Sequence, residues 1–278
     1  MLIENAFLKL PELILSSFHH GGNVEAMIVN HLATGIQMEL NCRSVPFAYN
    51  HVTVEKPYPN NQRKGTVFRA DLFFDSDGSV PGISHLEQYG FKKNNWIEAK
   101  TFFGGKKTAP AKTQNNGKII KDILRLCLYL DELQGKHRLN ARYILLVFNQ
   151  KPSFYLAYSQ RPWLKNIFED KVPEIEIDLN KEPKTCIRSI VNCDSINANI
   201  KIKFSKLYFE PIVQILIPVY WGYLLRIDSF YISINGKTIS YSKDIDDYWS
   251  HERIQCLGSV KKEFTGLLLA DETDITNQ

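Results

Sequence analysis

Two short stretches of the chain place charged residues where they could do chemistry. One is Phe68-Arg69-Ala70-Asp71-Leu72-Phe73-Phe74-Asp75, the other Trp96-Ile97-Glu98-Ala99-Lys100-Thr101-Phe102-Phe103. Each is short, apolar, rich in aromatics and bounded by turn chemistry, which predicts a β-strand. Alternate residues of a strand share a face, so Glu98 and Lys100 project to one side and Ile97, Ala99 and Thr101 to the other. A carboxylate and an ammonium side by side on a half-buried strand are costly to desolvate without a partner or a metal. Asp71, on the neighbouring strand, supplies a second carboxylate, and Asp75 on the same strand face is its rival. Two carboxylates and a lysine converging at a strand edge suit hydrolysis of a phosphodiester with a hard divalent cation.

These strands resemble the core of the PD-(D/E)XK nuclease superfamily, the fold of many restriction endonucleases. Asp71 matches the lone acid, and Glu98-Ala99-Lys100 matches the acid-x-lysine tripeptide. A bare Glu-x-Lys arises about once by chance in a chain of this size, so the weight falls on its apolar strand and on the preceding strand with Asp71. The family's proline before the first acid has no counterpart, since Ala70 stands there. The resemblance implies a mixed α/β fold with a restriction-endonuclease-like core, a central mixed sheet flanked by helices. It also implies Mg²⁺ held by Asp71, Glu98 and the Ala99 carbonyl oxygen, with Lys100 orienting the attacking water and contacting the phosphate. The expected activity is endonucleolytic cleavage of double-stranded DNA, most simply by a type II restriction enzyme acting as a homodimer. Two other readings keep the fold: a catalytically inactive nucleic-acid-binding or assembly protein, and a transposition or repair nuclease.

The elements around these strands must position them. Apolar spacing over residues 4–18 is helical, and Pro11 is expected to split that segment or start a second helix. Asn23 is a plausible N-cap for a helix over residues 24–33. On it Glu25 lies on the side of Val29 and Leu32. Two readings are open for Glu25: it resembles the family's accessory helical metal ligand, and it is equally a first-turn glutamate favoured by the helix dipole. Residues 42–65 read as loop or irregular strand, and the first catalytic strand is expected over residues 66–74.

After the second strand, residues 104–118 carry Lys106, Lys107, Lys112 and Lys118 and no acid. A basic loop beside a catalytic strand would meet DNA phosphates. A helix is expected over residues 118–133, with Lys121 and Arg125 extending that basic surface. Residues 142–148 form an unbroken apolar run, as in a strand buried on both faces, and residues 154–158 are expected to be the next strand. Beyond residue 160 the chain turns β-rich. Asn235-Gly236 there makes a two-residue hairpin turn that pairs Ile234 with Lys237, Ile232 with Ile239 and Phe230 with Tyr241. The expected division is a nuclease-like core over 1–160 and a β-rich region over 161–278, for DNA recognition or dimerisation or as one domain with the core.

The chain's 278 residues can bury a sizeable core, and 44% hydrophobic with 23% charged content suits a soluble globular protein. A net charge of +4 is too slight to argue for nucleic acid by itself. Five scattered cysteines without a C-x-x-C pair argue against a zinc site or a disulfide framework. No stretch is long enough to span a bilayer and no secretory leader pattern is present, so a cytoplasmic, reducing location without membrane contact is expected.

Overall fold

The computed structural model describes residues 2–17, 23–59, 67–76, 93–104, 111–130, 140–169, 173–191, 193–210 and 220–242. Its helices are α1 (Leu2–Ser17), α2 (Val24–Cys42), α3 (Lys112–Leu128) and the short α4 (Pro152–Tyr155), α5 (Pro162–Phe168) and α6 (Lys184–Ile190). Its strands are β1 (Val52–Pro57), β2 (Arg69–Asp75), β3 (Asn94–Phe102), β4 (Asn140–Phe148), β5 (Glu174–Asp178), β6 (Ala198–Phe209), β7 (Trp221–Ile234) and β8 (Lys237–Ser242). The strands join in one mixed eight-stranded sheet in the order β1-β2-β3-β4-β7-β6-β5, with β8 also on β7. Among the described strands only β3 and β4 run parallel, and α3 lies in the connection between them.

Every residue of β4 is buried, as its unbroken apolar run requires. Ile144, Leu146 and Phe148 pack with α3, α5 and α6, while Tyr143, Leu145 and Val147 pack with α1 and α2. Helices thus flank the sheet on both faces, and alternation along β4 separates the two cores. The sheet continues across residue 160, because β7 pairs with β4 through Tyr143↔Arg226 to Phe148↔Trp221. The second half of β7 turns at Asn235-Gly236 into β8, with Ile234↔Lys237, Ile232↔Ile239 and Phe230↔Tyr241 in register. Asn235 and Gly236 both have positive φ, as this turn demands. Arg142 fastens that hairpin to the core: it donates from Nε to the Leu126 carbonyl at 3.1 Å and lies over the Tyr241 ring at 4.9 Å.

Several elements depart from sequence expectation, each for a packing reason. Pro11 does not divide α1, which runs unbroken through it. Leu2, Ile3, Ala6, Phe7, Leu10 and Ile14 are buried along that one helix, and burying such a stripe outweighs a cost of about 3 kcal/mol for an interior proline. Helix α2 extends past residue 33 to Cys42, because Gly35 packs against α1, where an added Cβ would lie 3.2 Å from Ala6. Residues 52–57, read as loop or irregular strand, form β1, with Glu55 at φ 53° interrupting its pairing. Helix α3 begins at Lys112 rather than residue 118, despite Asn115-Asn116-Gly117. Gly117 lets α6 approach so closely that a Cβ there would meet Ser189 Oγ at 1.9 Å, and Asn116 accepts from the Ala157 amide. Residues 154–158 are not a strand. Pro152 opens the helical turn of α4, and the Tyr155 hydroxyl accepts from the Gly104 amide at 2.7 Å.

Candidate active site at a notch in the sheet

Strand β2 pairs with β3 only from Leu72↔Ile97 to Asp75↔Asn94. Beyond Leu72 the two strands part, and the edge of β3 at Ala99 and Thr101 opens into a notch. The alternation of β2 breaks here: Ala70 packs in one core and Leu72 in the other. Asp71 therefore turns into the sheet plane, where its Oδ2 accepts from the Ala99 amide at 2.6 Å. Two residues along the same edge, the Thr101 amide donates to Glu25 Oε2 at 3.2 Å. Carboxylates thus replace the missing backbone partners of β3, as buried amides require.

Glu98 and Lys100 share a face of β3, as their spacing predicts. Glu98 is 1% exposed and accepts through Oε1 from the Tyr58 hydroxyl. Lys100 Nζ donates to Glu25 Oε1 at 3.2 Å and lies 3.8 Å from Asp122 Oδ2 on α3. Asp122, 2% exposed, also faces Arg125 at 3.9 Å, and the Arg125 guanidinium lies over the Phe68 ring at 5.0 Å. Glu25 enters from α2, whose first amides are capped by Asn23 Oδ1 at 3.1 and 3.4 Å. The notch therefore draws side chains from helices on both faces of the sheet onto one strand edge.

The electrostatics follow from crowding acids together. Burial, then repulsion by Asp71 and Asp122, pushes the Glu98 carboxyl well above the usual glutamate range, against the pull of Arg125 and Tyr58. Burial also raises Asp71, offset by Lys100 and the Ala99 amide. The Asp71 and Glu98 carboxyls are close enough to share a hydrogen bond. Two close carboxylates disfavour each other's charge, and of the two Glu98 is raised the further.

Asp71, Glu98, Lys100, Ala99 and Glu25 all come together at the notch. Asp75 does not: it pairs with Asn94, four residues from Glu98 and roughly 13 Å along the strand, and its carbonyl meets His51 Nδ1 at 2.8 Å. Lys106 and Lys107 lie outside the described residues. Lys112 opens α3 and donates to the Ser153 carbonyl at 3.0 Å, and Lys118 is exposed on the same helix; among the described residues neither touches the acids. Lys121 and Arg125 do not extend a basic surface, because they face inward and are buried. Tyr58 and Asp122 are absent from the sequence reading. Asp122 carried a signal, since it stands three residues after Ile119 and four before Leu126, within the buried stripe. Tyr58, between Pro57 and Pro59, carried none.

The donors suit a hard cation. Asp71 and Glu98 offer carboxylate oxygens, and Ala99 offers its carbonyl beside them. Among the described residues no three acid, histidine or thiol groups converge into a metal cage of their own. Mg²⁺ needs no such cage, because it is commonly held by one or two carboxylates and retains several waters. Both oxygens of Glu25 are engaged, by Lys100 and by Thr101. Glu25→Ala is expected to cost about 1–3 kcal/mol in urea unfolding, and Glu25→Gln, whose carbonyl still accepts from Thr101, less. Equal losses would place the whole contribution in the ion pair with Lys100.

Compared with protein-family models, curated protein sequences and solved structures, the chain matches none. No described helix is long and apolar enough to cross a membrane. Among the described cysteines, Cys42, Cys127, Cys186 and Cys193 are free thiols.

Proposed function

We propose that this chain is a Mg²⁺-dependent endonuclease of the PD-(D/E)XK type that hydrolyses phosphodiester bonds in duplex DNA, acting as a type II restriction enzyme and homodimer. The observation that carries the reading is the convergence of Asp71, Glu98 and Lys100 where β2 leaves β3, with the Asp71 carboxylate on the Ala99 amide. Asp71 and Glu98 would hold the cation together with the Ala99 carbonyl. Residues Asp71, Glu98 and Ala99 would present that cation to a water and to the phosphate, where it would supply Lewis-acid activation and charge neutralisation.

Lys100 does the rest of the local work. Lys100 shares a face of β3 with Glu98 and its charge acts on Asp71, where the ammonium could donate to a phosphate oxygen or orient the attacking water. Glu25 and Asp122 flank it from α2 and α3 and restrict where that ammonium can point. The Asp71 carboxylate is fixed by the Ala99 amide, so it need not reorganise as charge develops.

Supercoiled plasmid incubated with the protein and Mg²⁺ is expected to become nicked and then linear, with no change in EDTA. Duplex binding without cleavage would favour an inactive binding or assembly protein of the same fold. Lys106, Lys107, Lys112 and Lys118 are proposed to contact phosphates. Replacing them by alanine should weaken binding alike on all sequences and lower the slope of log affinity against log salt by about one per lost contact. An unchanged slope would make them solvated surface.

A further inference from the structure

Tyr58 is tied to the site by its hydroxyl and to the fold by everything else. The hydroxyl donates to Glu98 Oε1, and the ring is 3% exposed. That ring stacks on Trp96 at 5.4 Å and 17° and meets Tyr129 at 5.9 Å and 34°. The Tyr58 amide donates to the Phe68 carbonyl at 3.1 Å, which fastens the chain leaving β1 to the chain entering β2. Trp96 stands two residues before Glu98 on the same face of β3, so the aromatic support and the carboxylate share one strand.

Glu98 needs such a donor. Asp71 and Asp122 disfavour charge on its carboxyl, while Arg125 on α3 favours it. A phenol locked between rings supplies a fixed bond to one of the carboxyl oxygens.

We propose that Tyr58 is a positioning residue for the cation site, holding Glu98 through Oε1 so that Oε2 faces the notch beside Asp71. This inference rests on the nuclease reading. Removing a partner that orients a metal-ligating carboxylate typically costs ten- to a hundredfold in metal affinity. Tyr58→Phe keeps the ring and its stacking and deletes only the hydroxyl.

The test is calorimetric titration of Mg²⁺ into the DNA-free protein for wild type, Tyr58→Phe, Tyr129→Phe and Glu98→Ala. Tyr58→Phe is expected to bind about tenfold more weakly, Tyr129→Phe like wild type, and Glu98→Ala not measurably. Wild-type affinity in Tyr58→Phe, with binding lost in Glu98→Ala, would overturn the role of Tyr58 and leave the nuclease reading standing. Equal weakening in Tyr58→Phe and Tyr129→Phe would reduce the effect to packing and also overturn it. A wild type that binds no Mg²⁺ would remove both. If Tyr58→Phe does not fold, the near-ultraviolet difference spectrum of the wild type decides. Saturating Mg²⁺ is expected to perturb a buried tyrosine band, and an unperturbed spectrum would overturn the proposal.

Discussion

Glu98→Ala and Lys100→Ala are each expected to slow single-turnover cleavage of duplex DNA by at least about a hundredfold, for reasons that binding separates. Glu98 is a proposed cation ligand. Its loss should abolish Mg²⁺ binding while leaving metal-free DNA affinity unchanged or raised, because a carboxylate facing a phosphate repels it when no cation intervenes. Lys100 has the opposite sign. Lys100→Ala should lower DNA affinity modestly and leave Mg²⁺ binding in place. It also deprives Glu25 and Asp122 of their shared cation, so this variant should be less stable than wild type. Wild-type cleavage in both variants would make this strand purely structural.

The second large effect concerns stability and pH. The Glu98 carboxyl is raised by burial and by Asp71 and Asp122, so the folded protein keeps a proton that the unfolded chain releases near pH 4.3. The folded state then binds more protons than the unfolded state, and the slope of stability against pH is negative. The contribution of Glu98 is fully present below about pH 4.3 and is lost as pH rises through its raised folded value. Asp71, also raised, acts in the same direction. Glu98→Gln keeps an acceptor for Tyr58 and removes the titration. Without metal it should match or trail wild type in acid and exceed it near neutrality by about 1–3 kcal/mol. At about 2–4 °C of melting temperature per kcal/mol, the gain is readily measured by calorimetry. The difference between the two proteins cancels every titration they share. Mg²⁺ should then stabilise wild type more than the variant, because a ligand stabilises only the state that binds it. A difference that stays constant from pH 4 to 8 would mean that Glu98 is not the titrating group.

What the sequence made legible was local and periodic. Asp71, Glu98 and Lys100 stood out because charged residues interrupt apolar, aromatic strands. Period-two spacing placed the last two on one face, and the notch brings them together. The β7–β8 register was legible from Asn235-Gly236 alone, since a two-residue turn fixes every pair after it. What escaped depends on tertiary contact. The loop expected up to residue 118 takes in Asn115-Asn116-Gly117, yet the close approach of α6 at Gly117 makes these residues the second turn of α3. Lys121 and Arg125 read as basic surface because charge says nothing about which way a helix faces. Packing turned them inward, where Arg125 pairs with Asp122. Tyr58 could not be read at all, because its role depends on a 40-residue separation closed only by the fold. The insertion of β7 between β4 and β6 is likewise a matter of topology, on which periodicity is silent.

The central claim is that the edge of β3 beside Asp71 and Glu98 is a cation site, and anomalous scattering from crystals grown with Mn²⁺ tests it most directly. The account predicts one peak or two within coordination distance of the Asp71 and Glu98 carboxylates and the Ala99 carbonyl, absent from crystals of Glu98→Ala. A Mn²⁺ peak elsewhere on the chain, with none at the Asp71 and Glu98 carboxylates at millimolar Mn²⁺, would contradict it.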